Sequence, residues 1–393
     1  MATGAGTPIR DRCRIDNAHL VGRSGLQWVQ IAAGVIQRIQ PMTHPCPNPS
    51  EPGLDLEGDW LSLGGVDLQI NGALGLAFPD LSPRHQERLQ AICEFLWHQG
   101  VDGFLPTLVT TSMDQFQRAL SVLSPTQSDP AMTQAQILGV HLEGPCLNEQ
   151  KRGAHPPEFL RPLTVEMLQQ VMGQYRERVK LITLAPELDP SGAAITWLRS
   201  HQILVSLGHS LASAAQAQTA FAQGATLVTH AFNAMPSLHH RQPGLLAAAL
   251  LHPQVWCGFI ADGQHVDPLM LQLILKTNPR RGLFLVSDAL APLGLPDGVY
   301  PWDTRQITVT AGTARLDDGT LSGTTLPLLA GVQNLVRWQS CSVGRAIALA
   351  TEAPRQAIGL PGLGAGQPAC QLLRWHHNVN TQALTWERLF VPA

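Results

Sequence analysis

Eight short apolar, β-branched runs recur through the middle of the chain, at residues 63–70, 103–109, 137–142, 179–184, 203–207, 225–228, 255–260 and 282–286. Most are followed by a stretch with helix-like spacing. Near-continuous apolar runs mark strands buried on both faces of a parallel sheet, because a half-exposed strand would alternate apolar with polar. Eight such strands separated by crossovers predict an α/β fold, a (β/α)8 barrel of the TIM type. The rival is an open doubly wound sheet. It would need a phosphate-binding glycine fingerprint after its first strand, and Gly72 and Gly75 do not make one.

The two ends of the chain follow a different pattern. Residues from about 10 to 60 alternate polar and apolar, as at 27–32 and 35–39, with a Pro-rich break at 45–52. The stretch from about Leu363 alternates as well, at 371–375 and 383–389. Short alternating strands belong to sheets with one face exposed. The expectation is a small β-sandwich domain built from both ends, 1–62 plus 361–393, beside a catalytic barrel spanning 63–360.

Composition narrows the function classes. The 393 residues suffice for one barrel and a small companion. The net charge is −3, from 26 basic and 29 acidic residues, which excludes a basic nucleic-acid surface or a polybasic membrane patch. Only 14% of residues are charged, which points to surface buried in a homo-oligomer, a dimer or tetramer. No apolar run reaches the roughly 18 residues of a membrane span, and residues 1–13 lack the apolar core of a signal peptide. The seven cysteines (Cys13, Cys46, Cys93, Cys146, Cys257, Cys341 and Cys370) are scattered, with no C-x-x-C pair. That spacing predicts free thiols in a reducing compartment, and so a cytoplasmic location.

The chemistry-bearing residues gather just after the apolar runs, where barrel enzymes place catalytic groups. The third run ends in His141 to Glu143, the fifth in Gly208-His209-Ser210, and the sixth in Thr229-His230. The seventh is followed by Asp262 and His265, and the eighth by Ser287-Asp288. Two imidazoles and one carboxylate suit zinc or iron and leave a position open for water. Glu143, His209 and His230 can supply that set, which leaves Asp288 as the acid/base group. Taken singly, each has a plainer reading. A strand-end histidine is more often a hydrogen-bonded core residue, and Glu143 or Asp288 could cap a helix. Together, at four separate strand ends, they favour a site. The pairs His239-His240 and His376-His377 are not assigned to the metal.

The ordered motifs resemble those of the N-acetylglucosamine-6-phosphate deacetylases, a family within the amidohydrolase superfamily. They are GGVDLQING at 64–72, HLEGPCLN at 141–148, KRGAH at 151–155, GHS at 208–210, THAFNAMP at 229–236, RQPGL at 241–245, IADGQHV at 260–266, LVSDA at 285–289 and TLSG at 320–323. The resemblance is collinear from about Ile15 to the C-terminal strands. It implies a metal-bearing barrel with a β-sandwich from both ends, and hydrolysis of an N-acetyl amino-sugar phosphate to the amine and acetate. It also implies Glu143, His209 and His230 as metal ligands and Asp288 as catalytic base and acid. His155 would stabilise the oxyanion. Ala154, Asn233, Ala234, Leu321, Ser322 and Gly323 would contact the sugar or its phosphate. Arg241 and His265 would supply phosphate-binding charge, Arg241 from a neighbouring subunit. Two-metal relatives carry His-x-His on the first strand, whereas this chain has Gln69-Ile70-Asn71. Neutral amides are poor ligands for zinc or iron, so one divalent ion per subunit is expected, zinc ahead of iron. Gly64, where a proline is usual, and Cys146, where an aromatic residue is usual, depart from the pattern.

Two rivals stay open. Another amidohydrolase reaction usually needs His-x-His and a bridging lysine. Lys151, Lys180 and Lys276 are the only lysines, and none falls at the end of the predicted fourth strand. A metal-free barrel kept as a binding scaffold would be expected to have lost part of the ligand set, and all four positions are intact.

Overall fold

The computed structural model describes residues 7–8, 12–45, 52–126, 133–278 and 282–391. The eight apolar runs become the strands of one parallel barrel. They are β1 (Gly65–Ile70), β2 (Val101–Val109), β3 (Val140–Glu143), β4 (Val179–Leu184), β5 (Leu204–Leu207), β6 (Leu227–Val228), β7 (Trp256–Phe259) and β8 (Leu283–Leu285). Consecutive strands pair in parallel from β1 through β8. A parallel bridge from Ile70 to Ala289 all but closes the ring. Every residue of β1 is buried, as a strand covered on both faces requires.

Two layers of core follow from that arrangement. Val66, Leu68, Leu105, Leu181, Leu227 and Phe284 come from strands on opposite sides and meet in the lumen, closed below by Ala353, Ala357 and Ile358. A larger shell packs Phe104, Leu142, Val205, Val228 and Phe259 against helix residues such as Ile92, Leu168, Leu198, Phe221 and Leu271. The helices start where side-chain oxygens satisfy their first free N–H groups. Ser112, Thr164 and Ser342 cap three of them, and Ser213 forms a capping box with Gln216.

The structure differs from the sequence pattern at three places. The third run is interrupted: Gln136–Ile137 pairs with β2, the chain turns at Gly139 (φ 132°), and β3 begins at Val140. Leu63 ends a separate strand, Trp60–Leu63, and the barrel starts only at Gly65. Gly64 lies between them, and a Cβ there would collide with the Asp102 carboxylate, so no larger residue fits this version of the joint. Finally, the chain after β8 does not run straight to a helix. It first makes a four-stranded antiparallel sheet, Gly298–Trp302, Arg305–Thr310, Thr313–Leu316 and Leu321–Thr324. Of these, only the last overlaps a sequence motif, TLSG at 320–323.

Both chain ends contribute to one seven-stranded sheet, in the order Ala383–Arg388, Leu372–Asn378, Trp60–Leu63, Arg12–Leu20, Leu26–Ala32 and Val35–Pro41, with Gly53–Asp55 also pairing to Arg12–Leu20. Its core is Ile15, Val29, Ile31, Ile36, Leu61 and Leu372. Thr7–Pro8 pairs in parallel with Phe390–Val391 in a separate two-stranded sheet. Most of the Pro-rich break, with Cys46, lies outside the described residues.

A buried ion cluster joins this sheet to the foot of the barrel. Asp102, at the start of β2, accepts from Arg355 Nη2 at 2.9 Å and from Arg388 Nη1 at 3.0 Å. Arg388 ends the strand Ala383–Arg388, and its guanidinium lies 3.4 Å from the Trp97 ring centroid. Arg355 also donates to the Gly64 carbonyl at 2.7 Å.

Candidate active site

Four side chains from four strand ends converge at the C-terminal mouth of the barrel. Glu143 is the last residue of β3. His209 and His230 each follow their strand by two residues, and Asp288 follows β8 by three. The last three adopt left-handed backbone angles, with φ of 48°, 28° and 48°. Non-glycine residues rarely adopt this region, and where they do, a functional constraint is a common cause. Here the turn swings each side chain inward over the lumen. The Glu143 Oε1 to His209 Nε2 distance is 3.1 Å, Glu143 Oε1 to His230 Nε2 is 3.2 Å, and the two Nε2 atoms are 3.0 Å apart. All four residues are buried.

The outer hydrogen bonds distinguish the histidines. His209 Nδ1 lies 2.8 Å from the Lys151 carbonyl, an acceptor only, so Nδ1 carries the proton and Nε2 offers a lone pair to the cluster. His155 is arranged the other way round. Its Nδ1 accepts from the Thr110 backbone N–H at 3.3 Å, so the proton of the neutral ring sits on Nε2. That Nε2 lies 4.0 Å from Glu143 Oε1 and presents a donor to the site. Burial first, then the neighbouring His209, depresses the His155 pKa to about 3, so the ring stays neutral.

Ligand-type atoms of Glu143, His155 and His209 lie within 4.8 Å of one another. His230 Nε2 lies 3.2 Å from Glu143 Oε1 and 3.0 Å from His209 Nε2, whereas His155 Nε2 stands 4.0 Å from Glu143 Oε1 and directs a proton there. Ligands about 2.0–2.1 Å from a tetrahedral ion stand roughly 3.3 Å apart. The observed spacings of 3.0–3.2 Å match that edge length. A Glu/His/His cluster of this kind can hold a divalent ion. Burial alone would raise the Glu143 carboxyl, but hydrogen bonds from His209 and His230 and their charge outweigh it and hold the group well below its usual range. Glu143 is therefore an anion ready to meet a cation.

Gln69 and Asn71, at the end of β1, bridge the two carboxylates of the site. Gln69 Nε2 donates to Glu143 Oε1 and Oε2 at 3.2 and 3.1 Å and to Asp288 Oδ1 at 3.2 Å. Asn71 Nδ2 donates to the same Asp288 oxygen at 2.7 Å. The two amides hold two carboxylates in one buried site. Burial, and then the charge of Glu143, raises the Asp288 pKa, which suits a group that must accept and release a proton.

The cluster floors a cavity of about 350 Å³. Of the substrate residues expected from the sequence, Ala154, His155, Asn233, Ala234, His265, Leu321 and Ser322 line it. His265 is held by Asp262, with Nδ1 to Oδ2 at 2.7 Å and both side chains almost fully buried. Two expected residues do not line it. Gly323 is buried in the strand beside it, where a Cβ would press on the Asp288 carbonyl at 2.7 Å. Arg241 is exposed in a loop. The structure adds Asn71, Lys151, Trp302 and Thr320 to the lining. Lys151 and Thr320 lie inside motifs already noted, whereas Trp302 belongs to the inserted sheet and had no local signal. Arg305, next along that sheet, donates to the Ala154 carbonyl at 2.8 Å and ties the insert to the His155 loop.

No family model matches the chain. Curated relatives do. N-acetylglucosamine-6-phosphate deacetylase of Danio rerio is 38% identical over 321 residues, 78% of this chain and 77% of that protein. The Vibrio furnissii enzyme of the same name is 34% identical over 76% of this chain and 73% of its own length. N-acetylgalactosamine-6-phosphate deacetylase of Escherichia coli O157:H7 is 32% identical over 86% of this chain and 87% of its own length. Among solved structures, N-acetyl-D-glucosamine-6-phosphate deacetylase from Mycobacterium smegmatis superposes with a TM-score of 0.83 at 27% identity, covering 97% of this chain and 99% of that one. With that level of identity across most of both chains, and the same barrel and sheets, this chain belongs to the N-acetylglucosamine-6-phosphate deacetylase family.

Proposed function

We propose that the chain hydrolyses N-acetylglucosamine 6-phosphate to glucosamine 6-phosphate and acetate, with one zinc or iron ion held by Glu143, His209 and His230. The observation that carries this reading is the convergence of those three side chains beside Asp288 in a buried, cavity-facing cluster. When bound, the ion would lower the pKa of a water toward neutrality and polarise the acyl carbonyl. The chain's own groups handle the protons. Asp288 takes the proton of the attacking water and returns it to the amine nitrogen as the C–N bond breaks. The Nε2–H of His155 donates to the oxyanion that develops on the acyl oxygen.

Sugar contacts fall to Ala154, Asn233, Ala234, Leu321 and Ser322, with Gly323 packed behind them against the Asp288 carbonyl, and the phosphate to His265 and Arg241. Arg241 lines no part of its own chain's cavity. This supports a homo-oligomer, dimer or tetramer, in which its guanidinium serves a neighbour. Among the described residues no helix is long and apolar enough to cross a membrane. Buried thiols at Cys93, Cys146 and Cys257, each pushed up to about 12 by burial, fit a cytoplasmic setting.

The test is acetate release from a panel of N-acetylglucosamine 6-phosphate, its galactosamine epimer and the unphosphorylated sugars. The reading expects turnover of the first and a large loss without phosphate. Failure of the metal-loaded protein on both phosphorylated sugars would end it.

A further inference from the structure

Beside the catalytic cavity lies a second one of about 320 Å³, within the usual range of ligand pockets, about 300–1,000 Å³. Asn71, Val109, Pro156 and Trp302 line both and form a common wall. That wall stands at the reacting end of the site. Asn71 donates to Asp288 at 2.7 Å. Thr110, which lines only the second cavity, donates its backbone N–H to His155. The amide carbon must sit between Asp288 and His155, so only the shared wall lies between the second cavity and the bond that breaks. The residues proposed to hold the sugar, Asn233, Ala234, Leu321 and Ser322, line the first cavity only.

The two linings differ in chemistry. The second is walled by Ala77, Pro79, Phe159, Leu290, Ala291 and Ile307, and its charged groups are the carboxylates Asp80 and Asp303. Asp303 is paired with Arg305, Nη2 to Oδ2 at 2.6 Å, so the wall offers no free cation to a phosphate or a carboxylate and its apolar part suits a neutral chain. We infer that this cavity is an acyl pocket, and that the chain hydrolyses glucosamine 6-phosphates whose N-acyl group is longer than acetyl, such as propionyl, butyryl and hexanoyl. The inference rests on the function proposed above and extends its substrate class. The chemistry balances as for acetyl. The water oxygen bonds to the acyl carbon, the C–N bond breaks, the nitrogen takes a proton, and the longer carboxylate leaves.

The experiment is kcat/KM for the N-acetyl, N-propionyl, N-butyryl and N-hexanoyl substrates, on the wild-type holoenzyme and on Ala291→Leu. Ala291 lines only the second cavity, so the larger side chain fills it. N-butyryl should react within about tenfold of N-acetyl in the wild type, and Ala291→Leu should slow N-butyryl by about 10–200-fold while leaving N-acetyl nearly unchanged. If the wild type hydrolyses N-acetyl but rejects N-butyryl by more than about 100-fold, the acyl pocket is wrong and the deacetylase reading stands. Equal losses on both substrates in a folded variant would also overturn the pocket. Should Ala291→Leu fail to fold, the wild-type series still decides, with Ala77→Val as the second filling variant. A holoenzyme inactive on the whole series removes the parent reading and the pocket with it.

Discussion

At the scale of single residues, hydrogen-bond partners outside the cluster decide what each polar group does inside it. Two neighbouring histidines show opposite faces because one meets a backbone carbonyl and the other a backbone N–H. His155→Ala is therefore expected to keep bound metal and lose about 10²–10³-fold in kcat, the usual cost of one oxyanion donor. Metal analysis alongside initial rates checks this. Loss of the ion would instead make His155 a ligand. Asp67 gives a second prediction. Burial raises its pKa to about 7, against 3.8 for the free group, despite hydrogen bonds from Ser287 and Gln69. The folded state thus binds the proton more tightly than the unfolded chain, and stability falls as pH rises from about 4 to about 7. The penalty is on the order of 4 kcal/mol once pH exceeds both values. Asp67→Asn should flatten that slope, read by urea unfolding at about pH 5 and about pH 8. Parallel slopes for the two proteins would show that Asp67 titrates normally.

At the scale of elements, the apolar runs and the polar residues that end them carried most of the information. A strand buried on both faces is rich in Val, Ile and Leu, broken only where a buried polar group such as Asp67 or Gln69 has partners, so all eight barrel strands were visible in the sequence. The residues at and just beyond their ends form the mouth, and Glu143, His209, His230 and Asp288, named from those positions in the sequence, are found side by side there. The boundaries were less legible. Leu63 and Gly65 sit in one apolar run but in different sheets, because Gly64 is pressed against Asp102 from a distant part of the chain. The Asp102–Arg355–Arg388 cluster is likewise a long-range fact with no local pattern. Removing its only anion leaves two buried guanidinium groups unpaired. Asp102→Ala is expected to cost about 3–5 kcal/mol, read as a lower denaturant midpoint, whereas an exposed control such as Asp317→Ala should barely shift it. A loss under about 1 kcal/mol would mean water reaches the arginines.

At the scale of the whole molecule, the mouth of the barrel is finished by a piece the periodicity did not announce. The antiparallel insert at 298–324 alternates like any surface hairpin, and nothing local says that Trp302 reaches the cavity or that Arg305 secures the His155 loop. Only the tertiary structure shows that, and Trp302 of this insert is one of the residues that line both adjoining cavities. The account as a whole requires one ion on Glu143, His209 and His230, and a carboxylate at Asp288 that moves protons without holding the ion. The direct measurement is acetate release by the wild type and by Asp288→Asn, each assayed with its bound metal quantified. The account predicts about one ion per chain in both proteins and a drop in turnover of about 10²–10⁴-fold in the variant. Wild-type-like turnover in Asp288→Asn, or a wild type fully active with no ion bound, would contradict it.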